Sequence, residues 1–321
     1  MSKNGKKKNK FVDFLLTVIL LASIGVFCYA GYNLYHIYTE YKKGTDEYNR
    51  IEQMAVKERD PDEIKKQEEA GQIKNEVHAP ISVDFKPLTD INKDVVGWIY
   101  MEALPDINYP VVHGKDNDEY LHATYEHNYN FAGTIFFDYE NSGDLTDLNT
   151  IVYGHNMKNG SMFGSLKKYV REQEVYKKSK YFWILTPDRN FRYEIFSAYT
   201  TAVDSDTYTL FKGPGKEFDE WLPKMMKNSE IKTDASILTM QDRIVTLSTC
   251  TGDYSTRFVV QGRLSGIEEL TNETFAQLIS RKEEEKRKQE ELERQQKEAE
   301  AAWIGDTTEA EDSWTDSEDY E

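Results

Sequence analysis

From residue 81 onward, short apolar stretches alternate with turn-forming residues, and that rhythm limits the fold more tightly than any other feature. Strand-like segments are read near 95–101, 107–112, 133–138, 149–154, 181–186, 191–201, 243–250 and 257–264. They are short and rich in β-branched or aromatic residues, as in Ile244-Val245-Thr246-Leu247, which fits buried strands better than helices. Eight such segments with intervening turns predict a mainly β fold, a closed eight-stranded barrel with antiparallel or mixed pairing. Two helices interrupt it. Met162, Phe163, Leu166 and Tyr169 share one face over 161–170, and Phe218, Trp221, Leu222 and Met225 share one over 216–228. Pro223 is expected to kink or shorten the second.

Two strand exits carry chemistry. Arg243–Cys250 delivers a cysteine at its end, and Arg257 opens the strand that follows. The segment Thr150–Asn156 ends in the same way on His155. A lone cysteine is by default a small buried hydrophobe. As a nucleophile it needs partial exposure and a nearby cation or imidazole, because only the thiolate attacks. Arg257 and His155 are of the right types for that. Ser248 and Thr249 either line a substrate groove or satisfy hydrogen bonds at the strand end. Asp253 is read as a turn residue rather than a third member of a triad. Arg263, deeper in its strand, is read as structural. His113, His122 and His127 lie in one stretch, but their spacing matches no zinc signature, so no metal site is expected.

The segments TLSTC-TGDYST-R-FVVQGRL and IVYGHNM, with VVGWIYM, INYPVVHGKDNDEYL and AGTIFFDYEN upstream, resemble the sortases of Gram-positive bacteria, class B in particular. The likeness spans about residues 81–266, with five motifs in the expected order. It implies a sortase-like barrel, and the 216–228 helix just before the cysteine strand is a class B trait. It also implies catalytic roles for His155, Cys250 and Arg257, with no cofactor. The substrates would be secreted proteins bearing LPXTG- or NPQTN-like sorting signals, and the acceptor an amine of a peptidoglycan precursor or a pilin. A thiol protease using water as acceptor and an idle surface-binding module are the competing readings. A redox protein would want Cys-x-x-Cys, which is absent.

The flanks set the setting. Lys3, Lys6, Lys7, Lys8 and Lys10 form a basic segment over 1–10, followed by an apolar run inside 11–38 that is long enough to span a bilayer. The lysines favour a cytoplasmic N-terminus, and Tyr29, Tyr32, Tyr35 and Tyr38 would form an aromatic belt on the outer side. Cys-Tyr-Ala at 28–30 makes a poor cleavage site, so a signal anchor is favoured over a cleaved signal peptide. The chain is therefore expected to be a single-pass cell-membrane protein with its catalytic domain outside. Residues 39–80 read as a helical stalk, 81–268 as the catalytic domain, and 269–321 as a charged tail, helical to about 303 and then acidic and disordered. The net charge of −17 argues against nucleic-acid binding, and 281–321 alone holds 7 Lys/Arg against 16 Asp/Glu.

Overall fold

The computed structural model describes residues 10–69, 77–234 and 238–270, together with 287, 288, 291, 294 and 295. In chain order it begins with α1 (Lys10–Ala55), β1 (Val56–Glu58), α2 (Pro61–Glu69), β2 (Ile81–Val83) and α3 (Phe85–Ile91). Then come β3 (Val95–Met101), β4 (Asn108–Val112), β5 (Ile135–Phe137) and β6 (Asn149–Tyr153). Two short helices, α4 (Lys168–Arg171) and α5 (Gln173–Lys178), lead to β7 (Tyr181–Leu185) and the long β8 (Arg189–Ala202). The chain continues through α6 (Lys216–Asn228), β9 (Ile244–Cys250) and β10 (Thr256–Glu269). Strands β3 to β10 close a barrel in the order β10-β8-β7-β3-β4-β5-β6-β9. The pairings β4–β5 and β6–β9 are parallel and the others antiparallel. This is the sortase-like eight-stranded barrel that the strand rhythm and the resemblance predict.

Alternation along β9 and β10 sorts their side chains. Val245, Leu247, Phe258 and Val260 join the barrel core, while Ile244 and Val259 pack in a second cluster with α6. Phe218, Trp221, Leu222 and Met225 are the buried face of α6, so that helix roofs the outer side of β8, β9 and β10. Burying such side chains stabilises by roughly 1.5–3 kcal/mol apiece. Pro223 lies inside α6 without shortening it.

The helix expected over 161–170 is different. Gly160 and Met162 take left-handed conformations (φ +86 and +52), which an α-helix cannot contain, and helix begins only at Lys168. Met162, Phe163, Leu166 and Tyr169 are nonetheless buried, so their periodic spacing reflects packing in a turn-rich segment.

Residues 39–80, expected as a stalk, are also built differently. One unbroken helix runs from Lys10 to Ala55, and Tyr48, Ile51 and Ala55 belong to the barrel core. The Tyr48 hydroxyl donates to the Gly133 carbonyl at 2.5 Å. β1 then pairs with β2 from the far side of this segment. Downstream, Arg59 and Ala79 N–H bond the buried Glu268 carboxylate of β10 at 2.7 and 2.9 Å. The apolar part of α1 differs: this is the one helix among the described residues long and apolar enough to cross a membrane, and its most apolar window, of mean hydropathy 2.3, has no residue buried against the rest of the protein. The chain divides into Met1–Glu269 and Leu270–Glu321. In the second unit residues 287, 288, 291, 294 and 295 are helical, with Arg294 3.7 Å from Glu291. The rest of the expected tail, to 321, lies outside the described residues.

Candidate active site

The antiparallel pair β9–β10 fixes Cys250 opposite Arg257. The Leu264 N–H donates to the Arg243 carbonyl at 2.8 Å, one step beyond the Ile244–Arg263 pair. That pair is therefore of the non-hydrogen-bonded kind. Counting by twos along the unshifted register makes Cys250–Arg257 the same kind, with Cα atoms about 4.5 Å apart and side chains at their closest. Cys250 is half-buried, as a reactive thiol must be. Past it the chain reverses through Gly252, whose φ of +99 suits a residue without a Cβ. The Arg257 guanidinium is braced by the Tyr254 and Thr256 carbonyls, accepting from Nη1 at 3.2 and 3.0 Å.

His155 arrives on the other side. β6 runs parallel to β9 with Tyr153 level with Ser248, and the Gly154 N–H extends the ladder to the Ser248 carbonyl at 3.1 Å. Parallel strands exit at the same end of a sheet, so His155 and Cys250 emerge together. A side chain at 154 would strike Ile135 and come within 2.7 Å of Phe163, so glycine lets the turn close over the strand end. His155 Nε2 lies 2.7 Å from the Leu121 carbonyl. A carbonyl only accepts, so Nε2 carries hydrogen and Nδ1 is the nitrogen left to exchange a proton. Burial, with the neighbouring His122 as a smaller influence, holds the imidazole below the usual histidine range; the Leu121 hydrogen bond opposes this. The His122 ring stacks on His155 with centroids 5.5 Å apart. Nothing in local sequence marks His122; the 113–134 loop brings it there.

His155, Cys250 and Arg257 line one groove of about 170 Å³, with Leu121, Phe136 and Tyr153. Ser248 and Thr249 also border it, but alternation sends their side chains to opposite faces of β9. The Ser248 hydroxyl meets the Tyr208 hydroxyl at 2.9 Å, which ties the 207–214 loop to the groove. Burial raises the Tyr208 phenol, and the Ser248 bond and the Arg257 charge oppose that. Thr249 is 2% exposed and its hydroxyl has no hydrogen-bond partner. Asp138, itself buried, accepts from Asn117 at 3.0 Å and from the Tyr153 hydroxyl at 2.9 Å, and so stiffens the wall.

Other candidates fall elsewhere. Asp253 accepts from the Ser255 N–H and hydroxyl at 2.8 Å, as a turn residue does. Arg263 forms a two-pronged pair with Glu194, at 3.0 and 2.7 Å. Among the described residues no group of three or more His, Cys, Asp and Glu is placed to hold a metal. A larger cavity, about 450 Å³, lies between α1 and the 157–168 segment, but none of Cys250, His155 and Arg257 lines it. The small groove is where a thiol, an imidazole and a guanidinium converge, and such a set can carry acyl transfer through a thioester.

Comparison with known proteins agrees. The Sortase domain family model matches residues 99–265. Sortase B of Listeria monocytogenes is 32% identical over 258 residues, which is 79% of this chain and 98% of that protein. Sortase B of Staphylococcus aureus is 31% identical over 241 residues, 75% of this chain and 91% of its own length. Among solved structures, sortase B from B. anthracis in complex with AAEK1 aligns with a TM-score of 0.57 and 34% identity, covering 71% of this chain and 99% of that one. A Staphylococcus aureus sortase B–substrate complex gives 0.57 and 30%, covering 73% and 100%. With this fold, this groove and these relatives, the chain belongs to the sortase family of cysteine transpeptidases, in its class B branch.

Proposed function

We propose that this transpeptidase is anchored in the cell membrane by α1, with its N-terminus cytoplasmic and its barrel outside. It cuts a C-terminal sorting signal of the LPXTG or NPQTN type in secreted proteins. The Cys250 thiolate attacks the scissile carbonyl, the C–N bond breaks, and the departing amine takes a proton from His155. In the second half an incoming amine of a peptidoglycan precursor or a pilin attacks the thioester. His155 accepts the proton of that amine, and the Cys250 sulfur leaves. The Arg257 guanidinium faces the oxygen on which negative charge develops. Ser248 binds substrate from the floor of the groove; Thr249 contributes backbone rather than hydroxyl.

The observation that carries this reading is the pairing of Cys250 with Arg257 in the close-approach register of β9–β10, with His155 lining the same groove. The test uses the full-length chain in detergent micelles with LPXTG- and NPQTN-type peptides, with and without an amine acceptor. Mass spectrometry is expected to find a thioacyl adduct at Cys250 that resolves to an amine-ligated product, and none in Cys250→Ala. Hydrolysed peptide alone, with acceptor in excess, would instead make the enzyme a protease.

A further inference from the structure

In a parallel pair every second residue of a strand bonds forward and back to the same neighbour at regular spacing. On β9 the Ser248 carbonyl accepts from the Gly154 N–H at 3.1 Å. Two residues on, the same register would join the Cys250 carbonyl to the backbone N–H of Asn156. The backbone leaves the sheet before that point. β6 ends at Tyr153, Phe163 N–H bonds the His155 carbonyl at 3.0 Å, and Asn156 bridges to Met162. The Asn156 side chain takes the place its backbone has given up: Nδ2 donates to the Cys250 carbonyl at 2.8 Å, across 94 residues of sequence. One peptide further, Lys167 Nζ donates to the Thr251 carbonyl at 3.2 Å, just ahead of the reversal at Gly252. Two consecutive carbonyls at the exit of β9 are thus each held by a side chain from the segment that follows His155.

We propose that Asn156 is a positioning residue for Cys250, replacing a rung of the sheet with its side-chain amide. The replacement lets the β6 backbone turn away and present the His155 imidazole, while the backbone of the nucleophile keeps the register of β9. Lys167 extends the same clamp by one residue. This rests on Cys250 being the nucleophile. Without the clamp the Cys250–Thr251 peptide is free to tilt, which moves the sulfur relative to Nδ1 of His155 and to the Arg257 guanidinium. Misplacement by about 1 Å costs on the order of 100-fold in rate. Substrate affinity is set by other groove residues, among them Ser248 and Leu121, so the loss falls on kcat.

The test measures kcat and KM on a fluorogenic NPQTN-type peptide with the full-length chain in micelles. It also follows the pH profile of iodoacetamide alkylation at Cys250, read by peptide mass spectrometry so that Cys250 is distinguished from Cys28. Asn156→Ala is expected to lower kcat about 10- to 100-fold, with KM within about two-fold and an unchanged thermal midpoint. Asn156→Asp, the same size but turning a carboxylate toward a carbonyl, is expected to fall further and to distort the alkylation profile. Lys167→Met is expected to lose about three- to ten-fold. The double variant should lose less than the product of the two single losses, since both side chains hold one turn. Wild-type kcat in Asn156→Asp, or losses that track the unfolded fraction, would overturn the proposal. A thioacyl adduct persisting in Cys250→Ala would overturn the reading of the nucleophile itself.

Discussion

On one side of β9 an antiparallel neighbour, β10, supplies Arg257; on the other a parallel neighbour, β6, leads to His155. The first arrangement is rigid by construction. Cys250 and Arg257 are partners in a continuous ladder, and their closeness follows from register, with side chains holding only the peptides at the strand exit. The second is assembled. β6 stops at Tyr153, and beyond the Gly154 N–H rung what aims His155 comes from outside the ladder: the Leu121 carbonyl, the stacked His122 and the Phe163 N–H. A guanidinium needs only to be near a developing charge, whereas an imidazole has to present one particular nitrogen. The looser demand is met by the sheet alone, and the stricter one by a set of directed hydrogen bonds.

The largest expected effects fall on the groove itself. His155→Ala is expected to lower kcat by about 100- to 10,000-fold, the range for losing a general acid–base group. Arg257→Ala should cost about 100- to 1,000-fold, as for a lost oxyanion donor. Steady-state kinetics with and without acceptor measure both. If the imidazole serves both half-reactions, the His155 loss persists when acceptor is saturating.

The assembled side also carries a pH signature. Burial keeps the folded His155 imidazole below its unfolded value of about 6.5, so the unfolded chain binds that proton more readily. Its contribution to stability is therefore full above about pH 6.5 and is lost as pH falls through the folded value. Denaturant melts at stepped pH should show a shallower acid loss for His155→Gln than for the wild type. An unchanged slope would mean that His155 is not the group responsible.

A contrast within β10 sharpens the point. Arg263→Met leaves Glu194 with Lys180, 2.8 Å away, as its remaining cation. The expected cost is about 2 kcal/mol of stability, with kcat unchanged, whereas Arg257→Ala should show the reverse. The smallest effect is Thr249→Val, which removes a buried hydroxyl that lacks a partner. It should be neutral or stabilising by up to about 1 kcal/mol, with KM unaltered. A marked rise in KM would restore Thr249 to substrate contact through its hydroxyl.

Legibility differed by kind of signal. The eight barrel strands were readable because alternation and β-branching are local, and each observed strand falls within a few residues of its expected place. The 161–170 segment has apolar residues at helical spacing, but Gly160 just ahead of it is left-handed, as a break in the backbone is. A helical pattern over 39–55 is legible, but not that Tyr48 and Ile51 on it join the barrel core, because their partners lie far along the chain. His122 carried no signal, since only loop closure stacks it on His155. Asn156 stood next to His155 in plain view, but its partner is a backbone carbonyl, and a carbonyl has no sequence signature.

The set of strands, the long apolar helix and the residue types at two strand exits are written in the order of the residues alone. Periodicity, apolar length and side-chain chemistry are properties of neighbouring residues, and they survive without a fold. That the exit at His155 lies beside the exit at Cys250 is a product of the fold. That depends on β6 and β9 pairing in parallel, a register set by closure of the whole barrel around its core rather than by either strand.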